Sequence, residues 1–293
     1  MRIISAAQRN GCVAENPQDR RGRAEWVEEH GMKGQGIDWA ALQEACVRQA
    51  DRRGWRLELL ERTGSTNDRV FKMATLGQDV AVCVARCQVA GRGTRGRVWA
   101  AAPDRTLTFS VGRELPAAVS LDGLSLAVGA GLVEALGRIG LTGARVKWPN
   151  DLLVDGRKLA GVLVEARRVG DVRRVVVGVG INLAQGTEVA GRQPACVDEL
   201  GAAASARVQA RRAAWLLRRV ARLLRRWPAD RARLLALWQA QDALRGSPVQ
   251  VTLPDSQIAG IAMGISHDGH LIVQTSTGRR ILAAGEVTVR NTD

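Results

Sequence analysis

The chain has 293 residues, of which 46% are hydrophobic, and a formal net charge of +14 at pH 7. This length suits one large domain and a small one, and the hydrophobic content is typical of a globular protein. No run of eighteen apolar residues occurs, which excludes a membrane-spanning helix, and the first ten residues lack the apolar core of a signal peptide. We therefore expect a cytoplasmic protein.

The chain opens with a polar segment and continues with alternating helix and strand patterns. Residues 1–36 show no hydrophobic period, which predicts a disordered or loosely attached extension. Apolar residues at helical spacing predict a helix over 37–53, and the run WRLELLE predicts a strand over 55–61. The next helix follows TGSTND, so Ser65 or Thr66 is its expected N-cap.

The middle of the chain is rich in β-branched residues and predicts most of a sheet. Strands are expected over 79–88, 106–112 and 172–183, and a buried, glycine-containing helix over 121–140. Residues 144–167 predict three strands, joined by a turn at WPND and by a tight Asp-Gly turn.

Two helices and a region of short strands follow. Helices are predicted over 207–227 and 229–243, and the first is amphipathic. Residues 207–233 contain ten arginines and one acid, which we interpret as a solvated helix face, with a phosphate-binding surface as the alternative. Residues 244–293 show short alternating strands between turn residues and predict a small β-barrel. The elements together indicate an α+β fold, with the larger domain over 37–243.

The stretch GRGTRGRVW, residues 91–99, concentrates glycine and arginine in one loop. Its glycines are Gly91, Gly93 and Gly96, and its arginines are Arg92, Arg95 and Arg97. Glycine permits positive φ and close approach to a ligand, and the guanidinium forks suit carboxylate or phosphate. The stretch matches neither the GxxxxGK[ST] phosphate loop nor the dinucleotide GxGxxG. Because it occurs once, between two strands, we expect an ordered site loop rather than a repetitive RNA-binding tail.

Three further segments carry residues suited to ligand binding. They are GSTND, KWPNDLLVDGRKLAGVLVE with Lys147, Asn150, Asp151 and Lys158, and GVGINL with Gly178, Gly180 and Asn182. The chain has only four lysines against 39 arginines, so the lysines at 147 and 158 suggest a need for a compact point charge.

In order and spacing, these motifs resemble those of the biotin protein ligases. The resemblance extends from about residue 37 to about residue 290, and PVQV, GIAMGI, DGHLIV and AGEVTVR are similar to that family's C-terminal SH3-like barrel. It implies a catalytic domain with a central mixed β-sheet flanked by helices. It also implies two reactions: biotin and Mg²⁺-bound ATP form biotinyl-5′-AMP, and biotin then passes to a lysine of the biotin carboxyl carrier protein of acetyl-CoA carboxylase.

The same resemblance implies a set of site residues. For biotin they are Ser65, Thr66, Asn67, Gln88, Gly91, Arg92, Lys158, Gly161 and Gly178. For ATP and the adenylate they are Arg95, Arg97, Trp99, Asn150, Lys158, Asn182 and Arg290. The implied catalytic residues are Lys158, Asp151 and Arg92, with Asp151 also the candidate ligand for Mg²⁺ and the candidate proton acceptor in transfer.

Structural roles are the alternative for several of these residues. Ser65 could be only a helix cap, Asn182 could only finish a strand, and Lys147 could be a surface strand residue. Trp148 and Pro149 are interpreted as structural.

The loop departs from the family pattern at one position. Thr94 stands where GRGRRGR has arginine, so one cation is lost near the mixed anhydride. We expect the adenylate to be held less tightly and to leak more readily. Thr106 stands where asparagine is common, with no predicted consequence.

Three other functions are alternatives. One is a biotin-binding protein without catalysis, against which Lys158 and the intact loop argue. A lipoate or octanoyl ligase or transferase would share the catalytic fold, but the loop, the KWPND segment and the barrel favour biotin. A nucleic-acid-binding protein would need base-stacking aromatics, whereas the chain has two phenylalanines and no tyrosine. Residues 1–36 lack the paired helices of a helix-turn-helix, so DNA is not an expected partner. A membrane is not expected either, because no long apolar run occurs, and a homodimer is left open.

Overall fold

The structure is a computed structural model that describes residues 36–73, 80–185, 193–201 and 204–289. Apart from Gly36, the predicted N-terminal extension lies outside these residues, and so does Arg290.

The described residues form five α-helices and twelve strands in the predicted order. The helices are α1 (Trp39–Arg53), α2 (Thr66–Lys72), α3 (Leu124–Gly137), α4 (Ala206–Arg226) and α5 (Arg231–Ala240). The strands of the larger sheet are β1 (Arg56–Thr63), β2 (Ala81–Gln88), β3 (Thr106–Pro116), β4 (Arg145–Lys147), β5 (Asp151–Val154), β6 (Arg157–Val169) and β7 (Val172–Asn182). The C-terminal strands are β8 (Pro248–Thr252), β9 (Gln257–Ile265), β10 (Leu271–Thr275), β11 (Gly278–Leu282) and β12 (Glu286–Val289). None of the described helices is long and apolar enough to cross a membrane.

The larger sheet has seven strands in the order β1-β2-β3-β7-β6-β5-β4. Strands β1 and β2 are parallel and all the other neighbours are antiparallel, so the expected mixed sheet is confirmed. The last eight residues of the central strand β7 are all buried, as in strands covered on both faces.

The two faces of this sheet have different roles, and β3 shows the division. Leu107, Phe109 and Val111 point into the main hydrophobic core, which also takes in residues of α1, α3 and α4. The residues of β3 that alternate with these three point to the opposite face, toward α2. Gly112 leaves room there for Val70, because a β-carbon on Gly112 would lie 2.4 Å from a Val70 methyl group. One face is therefore packed core, and the other carries α2 and a row of small and polar residues.

The Asp-Gly turn between β5 and β6 forms as the sequence predicts. Asp155 and Gly156 both have positive φ, 47° and 74°, which is the pattern of a two-residue hairpin turn whose twist matches its strands. The hairpin brings Asp151 opposite Gly161, with a register irregularity after Leu152.

The C-terminal strands form a five-stranded antiparallel sheet in the order β11-β10-β9-β8-β12. Among the residues that the structure describes, β11 and β12 do not pair, so the SH3-like sheet is not closed by hydrogen bonds. It packs on the larger unit through an apolar cluster that includes Val146, Trp148 and Val249. The Trp148 indole also donates a hydrogen bond to the Gly269 carbonyl at 3.0 Å.

The arginine-rich face of α4 is only partly solvated. Arg207, Arg211 and Arg222 are exposed, as the sequence predicts. Arg212 and Arg219, however, are largely buried and form ion pairs with Asp198 and Glu134. Ion pairing within the fold therefore absorbs part of the concentrated charge.

Candidate active site

Buried polar residues form a cluster where α2 meets the ends of β2 and β3. The Thr66 amide and hydroxyl donate to Gln88 Oε1 at 2.8 and 3.1 Å. The Ser110 hydroxyl lies 2.6 Å from Thr66 Oγ1 and 2.5 Å from Asn67 Oδ1. Thr66 and Asn67 are each 3% exposed, so these groups satisfy one another away from water and can exchange partners with a polar ligand.

Ser65 occupies the N-cap position of α2 but does not act as a cap. Its backbone is extended, and its side chain makes no capping hydrogen bond. The residue is 5% exposed beside Thr66. The Ser65 side chain therefore does not serve as a helix cap.

Arg92 lies on the α2 side of the cluster. Its guanidinium donates two hydrogen bonds of 2.8 Å to the Asp68 carboxylate, and its Nη2 lies 3.5 Å from Glu165 Oε2. Hydrogen bonding to Arg92 holds the pKa of the Asp68 carboxyl below its ordinary value. The side chain is therefore held between α2 and β6 by these two carboxylates.

The three glycines of the loop are used in different ways. Gly96 has a positive φ of 71°, but Gly93 has φ −103° and the second left-handed residue is Arg95, at 59°. Gly91 is required for another reason, because a β-carbon there would lie 2.7 Å from the Trp99 carbonyl oxygen. The short turn Thr94–Gly96 therefore folds the loop back on itself, and Trp99 N donates to Gly91 O at 2.9 Å.

Trp99 covers the sheet at two glycines that face each other in register, Gly161 on β6 and Gly180 on β7. A β-carbon on Gly180 would lie 2.2 Å from Trp99 Cε2, and one on Gly161 would lie 3.2 Å from Trp99 Cζ3. The buried indole Nε1 has no acceptor within the described part of the chain. The two glycines thus make a flat surface that accepts a planar ring.

Lys158 and Asp151 form an ion pair beside this surface. Lys158 Nζ lies 2.7 Å from Asp151 Oδ1 and 5.4 Å from the centroid of the Trp99 ring. The two side chains are 42% and 25% exposed, so an incoming anion can reach the ammonium group.

Five residues around this site lie in one straight row across the sheet. Successive register partners on β3, β7, β6, β5 and β4 are Thr108, Gly180, Gly161, Asp151 and Lys147. Because register partners point to the same side of a sheet, the whole row faces the α2 side. We call this set of five residues the site row.

The two predicted nucleotide asparagines make structural hydrogen bonds. Asn150 Nδ2 donates to the Val162 carbonyl at 3.0 Å. Asn182, 9% exposed, donates to the carbonyls of Lys158 and Ala195 at 3.3 and 3.2 Å. Both side chains fix the backbone around Lys158. This supports the structural alternative for Asn182, and both residues still lie next to the candidate site.

Three other residues predicted to contact a ligand, Gly178, Arg95 and Arg97, have partners within the protein. A β-carbon on Gly178 would lie 2.3 Å from Asn67 Oδ1, so this glycine makes room for Asn67. Arg95 and Arg97 lie 3.5 and 2.8 Å from the Glu286 carboxylate, across the boundary to the C-terminal sheet. Arg95 also donates to the Thr252 carbonyl at 3.3 Å.

The residues present suit a Mg²⁺ ion that arrives with phosphate, not a metal held by the protein alone. No group of three or more His, Cys, Asp or Glu within the described ranges could hold a metal. Asp151 is the one carboxylate in the site row, and Mg²⁺ commonly binds through one carboxylate together with substrate phosphates.

Sequence reasoning missed or left unassigned five site residues, which are Thr108, Ser110, Glu165, Gly180 and Glu286. The alternation in TLTFSVG and GVGIN signals that Ser110 and Gly180 share a face with Thr108 and Gly178. Glu165 and Glu286 carry no comparable signal, because each meets its arginine partner only through the tertiary fold.

Comparison with known proteins agrees with this geometry. Residues 59–182 match the model of the biotin/lipoate A/B protein ligase family, and residues 245–290 match that of the biotin protein ligase C terminal domain. The chain is 36% identical over 245 residues to a biotin–[acetyl-CoA-carboxylase] ligase of Mycobacterium tuberculosis, covering 80% of this chain and 89% of the relative. It is 34% identical over 219 residues to the bifunctional ligase/repressor BirA of Escherichia coli, covering 72% and 67%.

A solved structure gives the same result. The biotin protein ligase from Aquifex aeolicus in complex with biotin and ATP superimposes with a TM-score of 0.66 at 25% identity, covering 81% of this chain and 99% of that one.

Proposed function

Since the chain belongs to the biotin/lipoate A/B protein ligase family, we propose that it is an ATP-dependent biotin protein ligase. It joins biotin and ATP to form biotinyl-5′-AMP, and it then transfers biotin to a lysine of a carrier protein. The match of residues 245–290 to the biotin ligase C-terminal domain favours biotin over the lipoate and octanoate alternatives.

The observation that carries this proposal is the position of the Lys158–Asp151 pair at the edge of the glycine surface. The polar cluster of Thr66, Gln88 and Ser110 lies at one end of that surface, and the ion pair lies at the other. A ligand with a polar head and an acid at the end of an apolar chain would place its head among the hydroxyls and its carboxylate at Lys158. Biotin has this shape.

In the first step, a biotin carboxylate oxygen attacks the α-phosphorus of ATP and pyrophosphate leaves with the electron pair of the broken P–O bond. Lys158 stabilises the negative charge that gathers on the transferring phosphoryl group. Ser65, Thr66, Asn67 and Gln88 bind the biotin head, and the backbone at Gly91 and Arg92 borders the acid. Trp99 closes over the adenylate and excludes water.

In the second step, the amine of the acceptor lysine attacks the acyl carbon and AMP leaves. A free lysine with a pKa of about 10.4 is roughly one-thousandth neutral near neutral pH, so the site must help it to lose a proton. Asp151 is the proposed proton acceptor. Its Oδ1 is buried against Lys158, and the exposed part of the side chain is available to an incoming amine.

The remaining assignments are also proposals. Mg²⁺, when bound with ATP at Asp151, would neutralise phosphate charge. Asn150, Asn182, Arg95, Arg97 and Arg290 serve the nucleotide, and Arg290 lies beyond the described residues. The catalytic domain spans 37–243, the C-terminal domain spans 244–293, and the acceptor is the biotin carboxyl carrier protein in the cytoplasm.

The decisive experiment is the exchange of labelled pyrophosphate into ATP by the purified protein, with biotin, lipoate and octanoate as alternative acids. Exchange that depends on biotin establishes the first half-reaction and its specificity. Exchange with lipoate or octanoate alone would contradict the choice of biotin. A folded protein that exchanges with none of the three would contradict the ligase function.

A further inference from the structure

Lys147 stands at the far end of the site row, two strands beyond Lys158. It is the last residue of β4, directly opposite Asp151, and it faces the same side of the sheet as the glycine surface. Adjacent strands are about 4.8 Å apart, so β4 lies about 10 Å from β6 across the sheet. The row thus passes from Thr108 through Asp151, whose ion-pair partner is Lys158, to a second lysine at the edge of the sheet.

The Lys147 ammonium group has no committed partner. Within the described ranges, it forms neither an ion pair nor a hydrogen bond, although Lys147 is partly buried. The two nearest carboxylates are both engaged, Asp151 with Lys158 at 2.7 Å and Glu286 with Arg97 at 2.8 Å. Burial lowers the pKa of Lys147, with Asp151 and Glu286 acting in the opposite direction.

The surrounding charges are unbalanced in favour of an anion. Within the part of the chain that the structure describes, two carboxylates, Asp151 and Glu286, face the four cations Lys147, Lys158, Arg95 and Arg97. The cluster therefore carries an excess of two positive charges at the junction of the two sheets. A partly buried ammonium group without a counter-ion is costly unless an anion arrives to pair with it.

We propose that Lys147 binds the β- and γ-phosphates of ATP and stabilises pyrophosphate as the leaving group of the adenylation step. This inference rests on the proposed ligase function. The biotin oxygen–phosphorus bond forms, the bond from the α-phosphorus to the bridging oxygen breaks, and the electron pair leaves with pyrophosphate. Lys147 transfers no proton: its three N–H donors and its charge stabilise the departing oxygens. A lysine suits this task because it is a compact point charge that can follow a moving phosphate.

The test separates the two half-reactions in Lys147→Gln, Lys147→Arg and the control Arg145→Gln. Arg145 lies two positions earlier on the same face of β4 and is exposed, so its variant removes the same charge without touching the cluster. We expect Lys147→Gln to lower pyrophosphate–ATP exchange at least tenfold and to raise the KM for pyrophosphate. Transfer from preformed biotinyl-5′-AMP should stay within twofold of the wild type, and Lys147→Arg should recover part of the exchange.

Two results would overturn the inference. One is unchanged exchange in Lys147→Gln. The other is a parallel loss of exchange and transfer in a protein of unchanged Tm, which would assign Lys147 a general structural role. Failure of the ligase proposal itself is distinguishable, because the wild type would then show no biotin-dependent exchange.

Discussion

Gly180 lies directly beneath the indole of Trp99, so closely that a single added methyl group cannot fit. Its β-carbon would lie 2.2, 2.4 and 2.5 Å from three ring atoms. Real β-carbons do not approach other atoms this closely, and both the backbone of β7 and the ring are held by their neighbours. The contact joins the loop of residues 91–99 to β7. The closed conformation of that loop therefore depends on Gly180, which is distant in sequence.

Replacing Gly180 by alanine should therefore dislodge Trp99 and open the loop. We expect trypsin to cleave at the loop arginines several times faster, and biotin-dependent exchange to fall about tenfold or more, since a small misplacement near a reacting centre has large effects. Gly137→Ala, in α3 with no atom within 4 Å of the added methyl group, is the matched control. Unchanged cleavage in Gly180→Ala would show that the loop does not need this contact.

Lys158→Gln should lose the first half-reaction. Removing a preorganised charge from the phosphoryl group commonly lowers a rate by roughly 100-fold to 1000-fold. We expect a loss of that order in pyrophosphate exchange, with Lys72→Gln, an exposed lysine at the end of α2, unchanged. Equal activity of the Lys158 variant and the wild type would remove Lys158 from the catalytic set.

Asp151→Asn should slow the second half-reaction when that reaction is started from preformed adenylate. Without a carboxylate to accept the proton, transfer of biotin from preformed adenylate to the carrier should slow by about 100-fold at neutral pH. The loss should shrink as pH rises toward the ordinary lysine pKa of about 10.4, because more of the acceptor amine is then already neutral. Transfer at the wild-type rate and with the wild-type pH profile would refute the role.

Thr94→Arg should retain the adenylate better. Thr94 begins the short turn that also contains Arg95, and arginine there would add one cation to a loop that already carries three. We expect slower release of free biotinyl-5′-AMP and less labelling of bystander lysines. Release is measured by rapid filtration with labelled biotin, and equal rates for both proteins would contradict the prediction.

Asp242→Asn should stabilise the protein near neutral pH. Asp242 is 4% exposed and accepts from the Leu244 amide at 2.8 Å, while burial raises the pKa of its carboxyl. A carboxyl with a raised pKa binds its proton more tightly in the folded state. Its ionisation therefore begins to oppose folding as pH rises above the unfolded-state pKa, and opposes it fully above the raised folded-state pKa. The variant should have a higher Tm at pH 7, and the difference should fade as pH drops toward about 4, where the unfolded carboxyl also becomes protonated.

The exposed Asp255→Asn is the control for this measurement. A Tm difference for Asp242→Asn that is constant from pH 4 to pH 7 would show that lost or gained hydrogen bonds, and not ionisation, decide the effect.

The amino-acid sequence alone determined the element order and the Asp-Gly hairpin, and it indicated candidate residues for the site. Local patterns suffice for these features because periodicity, turn chemistry and motif order act over short stretches: Asp155 and Gly156 adopt the predicted turn, and Lys158 follows directly from it. The apolar run of β7 also marks a strand covered on both faces.

Only the tertiary structure decided how those residues are partnered. The alignment of Lys147, Asp151, Gly161 and Gly180 in one row follows from strand register, which depends on pairing between four separate strands. The attachment of Arg92 to Asp68 and of Arg97 to Glu286 follows from the packing of α2 and of the C-terminal sheet. Charge pairs of this kind depend on distance in space, and no periodicity along the chain encodes it.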